Sequence, residues 1–412
     1  MQIGTPNLTI LRSLSFALLF VVPLAAADWP QFLGPARNGV YAGTPLNEKW
    51  PAAGPRVLWR KQVGSGLSGP VVSGNHLILF HRVGDREVVE SFDALTGAPQ
   101  WQHGYPTAYR DDFGFDEGPR AVPVVADGLV FTYGAEGKLH AVDLSTGKPV
   151  WSVDAMREFD VDKGYFGAAG SPLIEGGRVI ANIGGKKGGI VAFDAKTGKV
   201  SWTATTDAAS YSSGVAGTIQ GTRYAIFLTR AGLVGLDPAS GQVKFQRPWR
   251  ARQAASVNAA TPIVVGNRIF VSAEYGPGAG VLQLDGTKLT DVWASDDALS
   301  NHYATSVLHE GRLYGFHGRQ EFGPVFRAVD FATGKVLWST PRFGAGSVTL
   351  AGNRLVILRE SGQLVVAAAS AASFQQIAAA QILPATVRAY PALADGILYV
   401  RNDNTLIAVD LR

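Results

Sequence analysis

The chain has 412 residues, 46% hydrophobic and 17% charged, with 49 Gly, 22 Pro and no Cys. That length and apolar content can bury a large core, and high Gly with low charge fits an all-β protein full of tight turns. A net charge of +4 without a basic run argues against nucleic acid as a partner, and the missing Cys excludes disulfides, thiolate metal sites, a thiol nucleophile, covalent haem and a lipidated cysteine.

Residues 1–27 are expected to be a cleaved export signal. Arg12 supplies the positive start, Leu14 to Leu24 the apolar stretch, and Ala25-Ala26-Ala27 a small-residue cleavage site before Asp28. The apolar run is too short to span a bilayer well, and no other stretch is long enough. The mature protein is therefore expected to be a monomer in the periplasm or secreted, with no membrane anchor. Residues 28–56 precede the repeats and are expected to form an N-terminal extension packed on them. Their opening is Asp28-Trp29-Pro30-Gln31-Phe32-x-Gly34-Pro35-x-Arg37-Asn38-Gly39.

From residue 57 onward one phrase organises the chain: Ala-x-Asp-x-x-Thr-Gly-x-x-x-Trp. Clean copies run from Ala141 to Trp151, Ala192 to Trp202 and Ala328 to Trp338. Weaker copies run from Asp93 to Trp101, Asp237 to Phe245 and Asp285 to Trp293. A degenerate one has Ala368 in the Asp place and Gln376 in the Trp place. The eighth copy, Ala408-Val409-Asp410, stops short of its Trp, which Trp59 at the other end can supply. A period of about 45 residues marks an array of supersecondary units.

Within one repeat, Val122 to Ala126, Leu129 to Tyr133, Lys138 to Asp143 and Pro149 to Val153 read as four strands separated by turn signals. Four antiparallel strands per repeat make a propeller blade. The first-turn signal falls at Gly74-Asn75, Asp127-Gly128, Gly176-Gly177, Gly221-Thr222, Gly266-Asn267, Glu310-Gly311, Gly352-Asn353 and Asp395-Gly396. The expected fold is an all-β, eight-bladed propeller over residues 57–412, closed by strand 57–63 joining the last blade. The Ala-rich stretch Ala367 to Ala380 then belongs to the outer half of blade seven. Two residues before each innermost strand stand Ser68, Ala121, Gly170, Ser213, Ala260, Ala304, Gly346 and Ala389. Their small size is expected to reflect crowding at the axis.

The phrase resembles the tryptophan-docking repeat of the pyrroloquinoline quinone (PQQ) propeller superfamily. That superfamily includes quinoprotein alcohol dehydrogenases and the BamB propeller of the outer-membrane β-barrel assembly machinery. The opening from Asp28 to Gly39 resembles that of secreted PQQ-like repeat proteins. The resemblance implies a binding or protein-interaction scaffold, including envelope-protein handling as in BamB. Its alternatives are a PQQ-dependent oxidoreductase and a carbohydrate-binding propeller. Quinoprotein dehydrogenases sandwich the quinone between a Trp and a vicinal disulfide, beside Ca²⁺ and an aspartate base. This chain has no Cys, and seven of its nine Trp are assigned to blade phrases or to the opening motif. No cofactor is therefore expected, neither PQQ nor calcium, and the balance favours a binder over an enzyme.

Propellers bind at the channel mouth, where loops enter the innermost strands. Those loops carry Glu117, Arg120, Tyr165 with Phe166, Tyr211, Asn258, His302 with Tyr303, and Arg388. Arginines, aromatics, an amide and an imidazole around a funnel suit a small anionic or planar ligand, or a glycan. Envelope or secreted proteins are the alternative partners. The insertion from Tyr109 to Glu117 is expected to be a solvated loop, with partner docking or calcium binding as its other readings. The seven His show no metal-site spacing, and no catalytic triad can be placed.

Overall fold

The computed structural model describes residues 1–2, 4, 28–250, 253 and 258–412. Almost all of the expected export signal lies outside the described residues. Among these, no helix is long and apolar enough to cross a membrane.

Eight four-stranded antiparallel sheets follow one another around a ring. Blade two consists of Val124–Ala126, Leu129–Tyr133, Lys138–Asp143 and Pro149–Asp154, each strand pairing with the next. Blade one covers residues 71–106, and blades three to seven cover 173–204, 215–248, 263–295, 307–340 and 346–381. Blade eight takes its inner three strands from residues 392–410 and its outer strand from Val57–Gln62. Trp59 stands opposite Ala408 and Gln62 opposite Thr405, so the ring closes across the two ends of the chain. The Ala-rich stretch is the outer pair of blade seven, Gln363–Ala368 and Gln375–Gln381.

The core lies between blades. One cluster joins blades two and three through Phe131, Leu139, Val179 and Phe193, and the other seams are built alike from facing sheets. The repeated phrase makes both the turn and the seam. Asp143 Oδ1 accepts the Thr146 N–H at 2.8 Å and the Thr146 hydroxyl at 2.7 Å. The same contacts recur at Asp194 and Asp330. The Ser145 and Thr146 hydroxyls hold the Asp143 carboxyl below the usual carboxylate range. Each Trp then docks on the next blade. The Trp151 indole donates to Ala195 O at 2.9 Å, and its ring lies flat over Gly198, φ +70°. Trp59, Trp101, Trp202 and Trp293 repeat this on Gly97, Gly147, Gly241 and Gly334.

Two seams depart from the pattern, those after blades four and seven; blade seven carries Gln376 in the Trp place. Blade four carries Phe245 in the Trp place, and its ring packs on Tyr224 of its own blade at 5.4 Å. The adjoining seam is held by Trp249, which is buried and donates to Gly278 O of blade five at 3.2 Å.

One turn expectation needs correction. The blade-four turn is centred on Gln220-Gly221, φ +49° and +80°, one residue earlier than Gly221-Thr222, because Thr222 already opens the second strand. At Gly74-Asn75, Gly266-Asn267 and Gly352-Asn353 only the glycine has positive φ. Those three turns therefore follow the type II′ pattern.

The segment before blade eight's outer strand crosses the ring. Trp29 exchanges backbone hydrogen bonds with Val72 of blade one, and Pro30 O accepts from Val125 of blade two. Arg37 reaches Pro172 O at 2.7 Å and Ser171 O at 3.2 Å beside blade three. Val40–Tyr41 then pairs in parallel with Gly346–Ala351 of blade seven. Because these partners lie on or beside innermost strands on both sides of the axis, the segment straps the channel shut on the face opposite the mouth. A Cβ at Gly34 would lie 2.9 Å from the Trp29 ring, so the tight turn there requires glycine.

Candidate functional site

With the far end closed, the channel mouth becomes a blind funnel holding a cavity of about 270 Å³. Of the eight residues named from sequence, it gathers Arg120, Tyr211, His302, Tyr303 and Arg388. Three others do not line it. Asn258 is buried, and its amide donates to Thr229 O and Trp249 O, both at 3.0 Å. It holds loop backbone and offers no donor to a ligand. Glu117 turns to Arg110 and Arg82, at 3.4 and 3.6 Å. Tyr165 lines a neighbouring cavity.

Sequence reasoning missed Phe32, Phe115, Tyr275, Gln320, Glu321 and Tyr390, which also line the funnel. Phe32 comes from the strap and meets Tyr390 edge-to-face at 4.8 Å. Tyr275 and Glu321 sit in hairpins joining second to third strands of blades five and six. Those hairpins open on the same face as the loops into the innermost strands, so two sets of loops build the mouth.

The insertion from Tyr109 to Glu117 is exposed at residues 110 and 112–115, as expected of a solvated loop, but it is anchored to the propeller at other points. Tyr109 is buried and the Asp111 side chain is wholly inaccessible. Arg120 clasps the insertion: its guanidinium donates to Asp111 Oδ2 at 2.5 Å, Asp116 O at 3.1 Å and Phe166 O at 3.0 Å. Arg120 is thus occupied in positioning. The clasp sets Phe115 over the funnel and packs Phe113 at a tilt against Phe166, ring centroids 5.3 Å apart.

Arg388 is differently placed. Its Nε donates to Glu360 Oε1 at 2.9 Å, and Glu360 also accepts the Tyr303 hydroxyl at 2.5 Å. Burial first, and then the Glu360 charge, raise the Tyr303 phenol well above its ordinary pKa, so it stays a donor. Among the described residues the two terminal nitrogens of Arg388 have no hydrogen-bond partner, and the residue lines the cavity. A fork held on one side and open on the other matches a carboxylate. His302 contacts the Tyr275 hydroxyl through Nε2 at 3.0 Å, and burial lowers its pKa to about 4, so it is neutral at physiological pH.

The quinoprotein cofactor does not fit these residues. The cavity wall holds neither Trp nor Cys, so both halves of the quinone sandwich are missing. Its one carboxylate, Glu321, pairs with Arg319 at 3.1 Å. Among the described residues no cluster of three His, Asp or Glu side chains is arranged to hold a metal.

Ring, repeat and funnel define a PQQ-like eight-bladed propeller. Comparison with known families makes the assignment narrower: the model described as "Outer membrane protein assembly factor BamB" matches residues 85–322 and 321–412, and the chain belongs to that family. BamB of Burkholderia pseudomallei (strain K96243) is 24% identical over 290 residues, covering 64% of this chain and 67% of that one. The quinohemoprotein alcohol dehydrogenase ADH-IIG of Pseudomonas putida is 32% identical over 129 residues, covering 30% of this chain but only 17% of the dehydrogenase. BamB from Moraxella catarrhalis superposes with a TM-score of 0.61 at 17% identity, covering 86% of this chain and 98% of that one. The quinohemoprotein alcohol dehydrogenase from Comamonas testosteroni gives 0.65 at 17% identity, covering 93% and 80%. These two likenesses concern the fold alone.

Proposed function

We propose that this propeller is a binding module of the cell envelope that engages other proteins through its funnel face, without quinone chemistry. The observation that carries this reading is the aromatic rim. Phe113, Phe115, Tyr165 and Phe322 are 51%, 60%, 38% and 77% exposed, and all belong to loops of the mouth. Apart from Met1, the other exposed large hydrophobics are aliphatic and scattered, as is normal for a soluble surface. Three of the four rim aromatics cluster, Phe113 lying 6.1 Å from Phe115 and 6.0 Å from Tyr165, and an exposed aromatic cluster marks an interaction site. Below it, the open Arg388 fork favours a segment that inserts an acidic or planar group. The named relative that shares about two thirds of its length with this chain is an outer membrane protein assembly factor, which supports protein handling in the envelope.

The test is site-specific photocrosslinking from position 115 in envelope preparations. Defined envelope proteins should crosslink, and Phe113→Ser with Phe322→Ser should reduce capture at least tenfold with the unfolding midpoint unchanged. The reading fails if reconstitution with PQQ and Ca²⁺ leaves a quinone absorbance on the protein and supports dye reduction on alcohols.

A further inference from the structure

The funnel wall selects an occupant through the hydrogen bonds it leaves unmade. Its charges cancel in neighbouring pairs: Arg120 with Asp111, Arg388 with Glu360 at 2.9 Å, and Glu321 with Arg319 at 3.1 Å. Glu321 is half exposed, so water serves the rest of its carboxylate. His302 is neutral, and both its ring nitrogens are engaged. Nδ1 accepts the Gln320 N–H at 3.4 Å, so Nε2 carries the hydrogen and donates to the Tyr275 hydroxyl at 3.0 Å. The Tyr211 oxygen accepts the Phe166 N–H at 3.3 Å. Both phenols thus use their oxygens as acceptors and keep their hydrogens to give, and burial raises both above their ordinary pKa. The Gln320 side-chain amide carries a donor and an acceptor and favours neither. Arg388 is the largest open donor. Its side chain is 25% exposed. Its terminal nitrogens, unpartnered among the described residues, stay accessible, whereas the unpartnered Nε atoms of Arg319 and Arg359 are buried. Its Cζ stands 5.9 Å from the ring of Phe115, which also lines the cavity.

Open donors therefore outnumber open acceptors, and the ligand must bring acceptors. An open guanidinium fork suits a carboxylate, and a single fork suits a single one. The rest of the wall is aromatic. Phe32 on the strap and Tyr390 make the floor, edge-to-face at 4.8 Å. Phe166 and Tyr211 meet edge-to-face at 5.4 Å, and Tyr275 and Tyr303 flank His302 at 5.5 and 5.8 Å. Ring faces and edges on several sides favour a flat ring among them. The cavity of about 270 Å³ falls just short of the roughly 300–1,000 Å³ of sites for drug-sized ligands, which admits one ring with a short arm. We propose that the funnel binds a small aromatic monocarboxylate, its carboxylate on the open edge of Arg388 and its ring toward the floor made by Phe32 and Tyr390. The proposal rests on the reading of the funnel as a binding site and deepens it by naming a free small molecule that the site takes.

The probes are benzoate, phenylacetate and 3-phenylpropionate, followed by saturation-transfer NMR on the isolated protein. Benzyl alcohol, benzylamine and acetate are the neutral, cationic and ringless counterparts. At least one aromatic acid should bind with a Kd on the order of 0.1–1 mM, as suits one ring and one charge-assisted contact, and each counterpart should bind at least tenfold more weakly. Arg388→Gln should weaken the acid at least tenfold and leave benzyl alcohol unchanged, which a merely structural role would not do. Phe115→Ser, at an exposed position, should weaken the acid at least threefold and covers the case in which Arg388→Gln fails to fold. The peptide Gly-Glu-Gly stands in for an inserted acidic segment. Binding of this peptide without any aromatic acid would overturn the proposal and leave the protein-binding reading intact. Aromatic-acid binding without any protein crosslink at position 115 would do the reverse. Absence of any aromatic-acid signal, preference for benzylamine or benzyl alcohol, or binding indifferent to both substitutions would also overturn the proposal.

Discussion

The glycine beneath each docked tryptophan gives the sharpest test of how the ring is held. Consider Gly198→Ala. At φ +70° an alanine costs about 1–2 kcal/mol through its Cβ alone. The new Cβ would also sit 2.7 Å from Trp151 Cδ2 and 2.8 Å from Cε3. Restoring a normal contact of about 3.5 Å means lifting the indole by about 0.8 Å. That lift breaks the 2.9 Å bond from its Nε1 to Ala195 O, worth about 0.5–1.5 kcal/mol, and forfeits part of the ring's packing. The expected total is about 3 kcal/mol. Gly128→Ala is the control: its φ is +75°, and nothing lies within 4 Å of the added Cβ, so only the backbone cost of about 1–2 kcal/mol applies. Trp151 is partly exposed, so Trp151→Ala should cost less than the roughly 3–5 kcal/mol of a fully buried tryptophan. Combined with Gly198→Ala it should fall short of additivity by about 1–2 kcal/mol. Urea midpoints at constant m-value measure all four proteins. If Gly198→Ala costs no more than Gly128→Ala, or the double mutant is additive, the docking account is wrong.

Deleting Val57–Gln62 removes the outer strand of blade eight and the Trp59 dock on Gly97; cooperative unfolding of the whole ring should be lost, and an unchanged thermal transition would contradict closure through that strand. Acidification should destabilise the fold. Burial lowers His140, His302 and His317 to about 4, so between about pH 6.5 and pH 4 the unfolded chain binds more protons, and their contribution, complete above pH 6.5, is lost as the pH falls. Glu87, raised by burial, works in the opposite direction just above its ordinary range. His140→Phe keeps the stacking on Tyr105 at 4.0 Å and should flatten the pH dependence of the melting temperature; an unaltered slope would exclude His140 as a contributor.

What the sequence discloses here divides along the repeat. Asp143, Gly147 and Trp151 act through the adjacent turn and the next blade, so spacing alone reveals them, the ring closure and the blade count. Trp249 departs from the phrase and becomes visible only once Phe245 is seen to leave its seam without an indole donor. Tyr275 and Glu321 escaped because the hairpins carrying them bear no turn signal tied to the period. Asn258 misled for the opposite reason: a polar residue in a mouth loop suggests a ligand contact, but here the loop's own carbonyls consume its donors.

The small residues near the axis show how a correct pattern can have more than one cause. Seven of the eight are buried, as crowding requires. Yet eight innermost strands also present eight sheet edges to one another, and edge N–H and C=O groups need partners. Hydroxyls supply several of them. Ser213 Oγ accepts the Ser171 N–H at 2.9 Å, Ser171 Oγ accepts from Val122 at 2.8 Å, and Thr305 Oγ1 accepts from Thr261 at 3.0 Å. The strap supplies others, through Trp29, through Val40–Tyr41 and through Arg37. Arg37 is fully desolvated, its pKa drawn down to about 9 by burial, with its Nε left unpartnered. Such a burial is tolerable only because its two terminal nitrogens meet carbonyls that no strand can reach. The motif from Asp28 to Gly39 therefore stands outside the repeat for a physical reason: it completes the hydrogen bonding that a ring of identical blades leaves open at its centre, and in doing so it makes the funnel blind.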